Sequence, residues 1–189
     1  MRLVRFGGAM SLDGYIAGPS GEYDWIVMDP DIDFAGFMKQ FDTYLIGRKT
    51  FDAMGRMGTQ SKSTPGIENI VCSRTLKQSD FPRVRIEPDA VNLVTALRTK
   101  PGKDIAIFGG GELFRSLLMA GLVDRVEMAL IPVLLGAGIP MLPSPASRAT
   151  LKLRSQRVYE KTGTIGLEYD VVRTPSSGRA RSSRQTKSH

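Results

Sequence analysis

The chain is poor in the residues that build metal centres and disulfides. Among 189 residues there is one cysteine, Cys72, and one histidine, His189, at the extreme C-terminus. A lone cysteine excludes an internal disulfide, and one terminal histidine leaves no zinc-ligand set, so no metal is expected. No run approaches the ~18 apolar residues of a membrane-crossing helix. Met1-Arg2-Leu3 leads straight into a strand-like pattern and does not read as a secretory signal. These absences set the expectation of a cytoplasmic protein with reduced thiols and no membrane partner.

Acid is missing from one place in particular. The stretch TPSSGRARSSRQTKSH (174–189) carries Arg179, Arg181, Arg184 and Lys187, and neither a carboxylate side chain nor a large apolar residue. Those four cations are the greater part of the formal net charge of +7, so the basic balance is not spread over the chain. Such a Ser-rich cationic segment reads as a disordered basic tail. A nucleic-acid arm is the less favoured reading, because no motif with interleaved aromatics accompanies the charge.

What is present suits one α/β domain over residues 1–173, since 41% of the residues are hydrophobic. LVRFGGAMSLDGYIA (3–17) begins as a strand and runs into a Gly-containing loop. DIDFAGFMKQF (31–41) spaces Phe34, Phe37, Met38 and Phe41 as the apolar face of a helix, with Asp29-Pro30 ahead of it as cap and first-turn proline. Strands follow at 43–47, 69–73, 84–86, 104–109 and 124–132, with helices at 50–57, 90–99 and 111–120. LRSQRVYE (153–160) and TIGLEYDVVR (164–173) alternate around KTG and read as a C-terminal hairpin. The alternation of strand and helix predicts a three-layer fold. Its mostly parallel central sheet has helices on both faces and an antiparallel pair at one edge.

In such a sheet, ligands sit beyond the carboxyl ends of strands, against helix N-termini. Three segments end strands in that way. FGGGELF (108–114) places Gly109, Gly110 and Gly111 where backbone approaches a ligand closely, and the next helix, starting through Glu112 and Leu113, aims its positive end at a phosphate. GRKT (47–50) ends a strand at Gly47, offers Arg48 and Lys49 to a dianion, and has Thr50 as a candidate cap. CSRT (72–75) adds the Ser73 hydroxyl and Arg74 at another strand end. Hydroxyl and arginine at two strand ends, plus a glycine-rich helix start, fit one extended ligand with phosphates at two places, such as NADPH.

GRKTFDAMG, CSRT and IFGGGELF, in this order, resemble the NADPH-binding segments of dihydrofolate reductase, over about residues 3–173. SLDGYIAG (11–18) and VDRVEMALIPVLLGAGIPML (123–142) are more similar to the reductase domain of the bifunctional riboflavin-pathway deaminase–reductase, which shares that fold. The resemblance implies an NADPH-dependent reductase of a pterin- or pyrimidine-like heterocycle, of the 5-amino-6-(5-phosphoribosylamino)uracil reductase type. Dihydrofolate reductase activity and a non-catalytic NADPH-binding protein are the alternatives.

It further implies that Arg48, Lys49, Thr50, Ser73 and Arg74 surround the adenosine 2′-phosphate and its neighbours. Gly109, Gly110 and Gly111, with Phe108, would take the pyrophosphate and nicotinamide side, and Ala9 and Ile16 would flank the nicotinamide. Asp31, on the apolar face of the first helix beside Phe34, matches the acid that holds the heterocycle. Trp25 is similar to the tryptophan of the family's mobile loop, and Ser11 and Asp13 either touch substrate or form the turn. The threonine that supports the acid in dihydrofolate reductase is replaced by Ala129. A homodimer is implied by the riboflavin-type relatives.

Overall fold

The computed structural model describes residues 1–58, 65–82 and 84–173. The basic tail expected at 174–189 lies outside the described residues. The element order is β1 (Val4–Ser11), β2 (Tyr15–Ala17), α1 (Phe34–Met38), β3 (Phe41–Gly47), α2 (Arg48–Arg56), β4 (Glu68–Cys72) and β5 (Arg85–Glu87). Then come α3 (Ala90–Arg98), β6 (Asp104–Gly109), α4 (Gly111–Met119), β7 (Arg125–Ile131), β8 (Ile139–Pro140), β9 (Thr150–Tyr159) and β10 (Thr164–Val172).

Eight strands form one sheet in the order β5-β4-β3-β6-β1-β7-β10-β9, and β2 pairs with β8 separately. All neighbours from β5 to β7 run parallel, because each is reached by a crossover; β10 returns antiparallel to both β7 and β9. The expected architecture, hairpin included, is present.

The inner strands are buried on both faces, as parallel strands under helices must be. On one face, Val4, Phe6, Ile105, Ile107, Val126 and Met128 pack against Leu93, Val94 and Leu97 of α3 and Leu113, Phe114 and Leu117 of α4. The rings of Phe6 and Phe114 stack with centroids 4.0 Å apart. On the other face, Tyr44, Ile46 and Val71 meet Phe51 of α2, with Phe37 and Met38 of α1 alongside.

The first helix departs from expectation. The periodic stretch 31–41 forms only the five residues of α1, capped by Asp33, whose carboxylate accepts the Gly36 N–H at 2.8 Å. Asp29 is not a helix cap. It is buried elsewhere, as described below, and Phe41 is already strand, where its ring packs edge-on against Phe37 and Tyr44. Tertiary packing of Phe41 thus overrides the local helical spacing.

Candidate functional site

The centre of the sheet is split. β1 pairs with β6 only as far as Phe6↔Ile107, while its pairing with β7 continues to Ser11↔Ile131. From Gly7 onward, β1 and the end of β6 part company. A side chain at Gly8 would find nothing within 4 Å, and Phe108 on the opposite lip is 44% exposed. A cleft in mid-sheet leaves unpaired backbone amides facing an opening, which is where a flat polar ring can be held.

On the face covered by α1, the floor of this cleft carries almost no side chain. Ala9, Ala129 and Gly166 stand side by side on β1, β7 and β10. Aromatic rings border it. The Phe37 ring lies 3.5 Å from where a Gly7 side chain would begin, the Tyr159 ring 3.2 Å from the same point on Gly166, and Phe108 stacks on Tyr44 at 5.6 Å. Burial pushes the Tyr44 hydroxyl pKa up, so it stays protonated, and it contacts the Met38 sulfur at 3.0 Å. Phe34, one helical turn from Phe37, is 47% exposed.

At the carboxyl end of the cleft, two helix starts meet. α2 begins directly after Gly47 and α4 directly after Gly110. A Cβ on Gly47 would lie 2.9 Å from the Gly110 nitrogen and 3.1 Å from the Gly109 oxygen, so only glycine permits the two turns to touch. Gly109 has φ +126, a left-handed conformation that glycine adopts without strain. Thr50 is not the cap of α2, since that place is taken by Gly47; its hydroxyl instead sits 3.1–3.2 Å from where side chains on Gly109 and Gly110 would begin. The Leu113 and Phe114 amides turn back to the Gly110 carbonyl. The Gly111 and Glu112 amides make no hydrogen bond among the described residues.

The side-chain positions of other expected members of this cluster are taken up by packing or by surface pairing. A side chain at Gly111 would strike the Pro140 and Met141 carbonyls and the Pro143 ring, all at 2.8 Å; this glycine makes room for the segment after β8. The Leu113 side chain is buried in the core. Glu112 is exposed and pairs with Arg115 at 2.7 Å.

The cations divide into two kinds. Arg48 is already held: its Nε donates to Asp52 at 2.8–2.9 Å and its Nη1 to the Thr75 hydroxyl at 2.8 Å, which ties α2 to the loop after β4. Ser73 is buried, and its hydroxyl accepts the Thr75 and Leu76 amides at 3.2 and 3.1 Å, folding that loop into a turn. Lys49 and Arg74 are exposed and form no ion pair among the described residues. Cys72, beside them, is no nucleophile: burial, with the Glu87 charge, pushes its thiol up to about 12.

Ser11 and Asp13 form a staple. The buried Ser11 hydroxyl donates to Asp13 at 2.6 Å and accepts the Tyr15 amide at 2.9 Å. Asp13 in turn accepts the Gly136 and Leu135 amides at 2.7 and 3.1 Å, binding the β1–β2 turn to the loop after β7. The Ser11 hydroxyl, with those amides, holds the Asp13 carboxyl below its usual range. Of the two readings, turn or substrate contact, these bonds account for the turn. Ile16, on β2, packs against the core near the β1 end.

The α1 side differs most from expectation. Asp31 does not lie on the apolar face of a helix. It precedes α1, is exposed, and pairs with Lys161 of the β9–β10 turn at 2.8 Å. Trp25, half-buried, donates its indole N–H to the Glu22 carbonyl at 3.1 Å. Asp29 is the acid that is buried here, at 1% exposure, accepting the Asp31 amide and both the amide and hydroxyl of Thr162.

Sequence reasoning missed the floor residue Gly166 and the Asp29–Thr162 contact. An isolated glycine inside a strand pattern signals close backbone approach, so Gly166 had a signal. Thr162, 133 positions from Asp29, had none.

A profile of the RibD C-terminal domain matches residues 2–165. The chain belongs to the RibD C-terminal domain family. It is 34% identical over 171 residues to the uncharacterized protein YyaP of Bacillus subtilis (strain 168), covering 85% of this chain and 90% of that one. Among solved structures it is similar to a Thermotoga maritima diaminohydroxyphosphoribosylaminopyrimidine deaminase/5-amino-6-(5-phosphoribosylamino)uracil reductase. The TM-score is 0.65 at 17% identity, covering 90% of this chain and 57% of that one. Dihydrofolate reductase from Enterococcus faecalis, complexed with NADP(H), matches with a TM-score of 0.64 at 18% identity, covering 89% of this chain and 96% of that one. At these identities the two structures show the fold, and the fold of this RibD C-terminal domain member is that of dihydrofolate reductase. No described helix is long and apolar enough to cross a membrane, and no described cluster of three acids, histidines or cysteines could hold a metal.

Proposed function

We propose that the chain is an NADPH-dependent reductase of a pterin- or pyrimidine-like heterocycle, of the riboflavin-biosynthesis reductase type. The observation that carries this reading is the split between β1 and β6, which ends on the touching starts of α2 and α4. A cleft with free amides suits a carboxamide-bearing ring. The start of α4, with its Gly111 and Glu112 amides unbonded among the described residues and the start of α2 beside it, suits a pyrophosphate. The exposed Lys49 and Arg74, in no ion pair among the described residues, suit a further phosphate. Membership of the RibD C-terminal domain family supports the reductase class.

In this reading Ala9 and Ile16 flank the nicotinamide, and the Gly109–Gly110 turn with the Gly111 and Glu112 amides receives the pyrophosphate. Arg74 and Lys49 meet the 2′-phosphate, while Arg48, Thr50 and Ser73 hold the loops that carry them. NADPH, when bound, supplies hydride. The heterocycle rests over Ala9, Ala129 and Gly166 beneath Phe34, where aromatic walls exclude water from one side. Asp31, at the rim with Lys161, suits binding of a substituent N–H better than proton donation from an apolar pocket.

The test is calorimetric titration of the purified protein with NADPH and NADH, followed by NADPH consumption against pteridines, dihydrofolate and ribosylaminopyrimidines with and without the 5-phosphate. The expected result is preferential NADPH binding and turnover of one of these classes. Absence of NADPH binding would overturn the reading.

A further inference from the structure

The segment from Tyr23 to Phe34 runs from the end of α2 to the β9–β10 turn, and the β1–β6 split lies between those two places in the strand order. Tyr23, Val27, Met28 and Phe34 are exposed, and several of its bonds are local turns, such as Ile26 to Tyr23 and Ile32 to Asp29. Among the described residues, its side-chain ties to distant parts of the chain lie toward its two ends. Near the start, the Tyr23 hydroxyl reaches the Met57 sulfur just beyond α2, at 3.0 Å. Near the other end, Asp29 and Asp31 grip the β9–β10 turn. That turn stands at the open end of the sheet, because Ile165 just after it pairs with Leu130, next to the Ala129 floor position.

The grip is charge-assisted and buried. Asp29 Oδ1 accepts the Asp31 amide at 2.9 Å, and Oδ2 accepts the Thr162 hydroxyl at 2.9 Å and amide at 3.1 Å. Lys161 and Asp31 add an exposed ion pair that water screens, so the buried carboxylate is the stronger member.

We infer that Asp29 is a positioning residue: through Thr162 it clamps the Tyr23–Phe34 segment to the β9–β10 turn and so sets where Trp25 and Phe34 stand relative to the sheet. This goes beyond the reductase reading and does not depend on which ligand the cleft takes. The hydrogen bonds of Asp29 go to Asp31 and Thr162, so it acts through the backbone on either side of it.

The test uses the full chain and its one tryptophan. Hydrogen exchange and Trp25 emission are compared for the parent, Asp29→Asn, Thr162→Val and Thr162→Ser, with an NADPH titration run in parallel. Asp29→Asn is expected to speed amide exchange in residues 24–33 about tenfold or more, the equilibrium worth of one charge-assisted bond. Exchange in β1 and β7 should stay unchanged, and the Trp25 emission should shift. Thr162→Val should reproduce part of the effect and Thr162→Ser restore the parent behaviour, which a merely space-filling role would not do. If Asp29→Asn does not fold, the two Thr162 variants decide the matter. Unchanged exchange in 24–33, or an equal increase throughout β1 and β7, overturns the clamp. A parent that binds no NADPH overturns the reductase reading while leaving the exchange result decisive for the clamp.

Discussion

Gly47 lies so close to Gly110 that a Cβ on the first would sit 2.9 Å from the amide nitrogen of the second. The contact joins strand ends β3 and β6 and sets the starts of α2 and α4 side by side. Gly110 itself is different: a Cβ there would meet only the Thr50 hydroxyl, at 3.2 Å, and open space beyond.

That asymmetry separates packing from binding. Gly47→Ala is expected to destabilise the fold by ~1–3 kcal/mol, the range for overpacking a tight contact. Gly110→Val should remain folded, with the Thr50 side chain giving way, yet lose NADPH binding because its side chain occupies the ligand's approach. Thermal melts with and without NADPH read both. A folded Gly110→Val protein that binds NADPH normally would remove the pyrophosphate assignment.

Arg74 and Arg48 should separate in their effects. Arg74, free of partners among the described residues, is expected to give up ~1.5–3 kcal/mol of NADPH affinity on change to alanine, the range for hydrogen bonds to charged groups, with NADH affinity unchanged. Arg48 is shared with Asp52 and Thr75, so Arg48→Ala should also loosen the loop after β4 and lower the melting temperature. Equal losses for both cofactors with Arg74→Ala would place the cation away from the 2′-phosphate.

Asp29 predicts a pH dependence. Burial pushes its carboxyl up, but the Asp31 amide, the Thr162 hydroxyl and amide and the Lys161 charge outweigh that and hold it below the usual range. A lowered folded pKa contributes stability that is complete above the unfolded value, about 3.9, and is lost as pH falls through the folded value. The stability gap between the parent and Asp29→Asn should therefore be largest near neutrality and close as the medium is made acid. A gap that stays constant or widens on acidification would contradict this. Asp31 and Lys161 are the charged groups beside Asp29.

The outer edge of β9 is ten residues long and pairs with no other strand among the described residues, with Leu151, Leu153 and Val158 exposed on it. Such an edge needs covering. A homodimer through β9 is expected, with Leu153→Asp and Val158→Asp together shifting it toward monomer. Light scattering at micromolar concentration checks this, and a monomeric parent would refute it.

The layers of this fold were legible because periodicity is local. Leu113, Phe114 and Leu117 repeat at helical spacing behind three glycines, and 153–173 alternates around KTG; both patterns reappear as α4 and the β9–β10 hairpin. Strand ends carrying Gly, Arg, Ser and Thr were equally plain, and so was the likeness to the NADPH-binding segments of dihydrofolate reductase. Site details depended on distance in space. Whether Thr50 caps a helix or rests on Gly109 turns on how closely Gly47 approaches Gly110, a contact between residues 63 positions apart. The helical spacing over 31–41 was real, yet Phe41 gains more as a buried strand residue against Tyr44 than as the end of an exposed helix, so α1 is short and Asp31 falls outside it. Asp29, Asp31 and Asp33 look alike in a row of acids. Only the return of the β9–β10 turn, bringing Thr162 and Lys161 to them, buries the first, pairs the second and leaves the third to cap α1, because a carboxylate is buried only where enough donors converge on it.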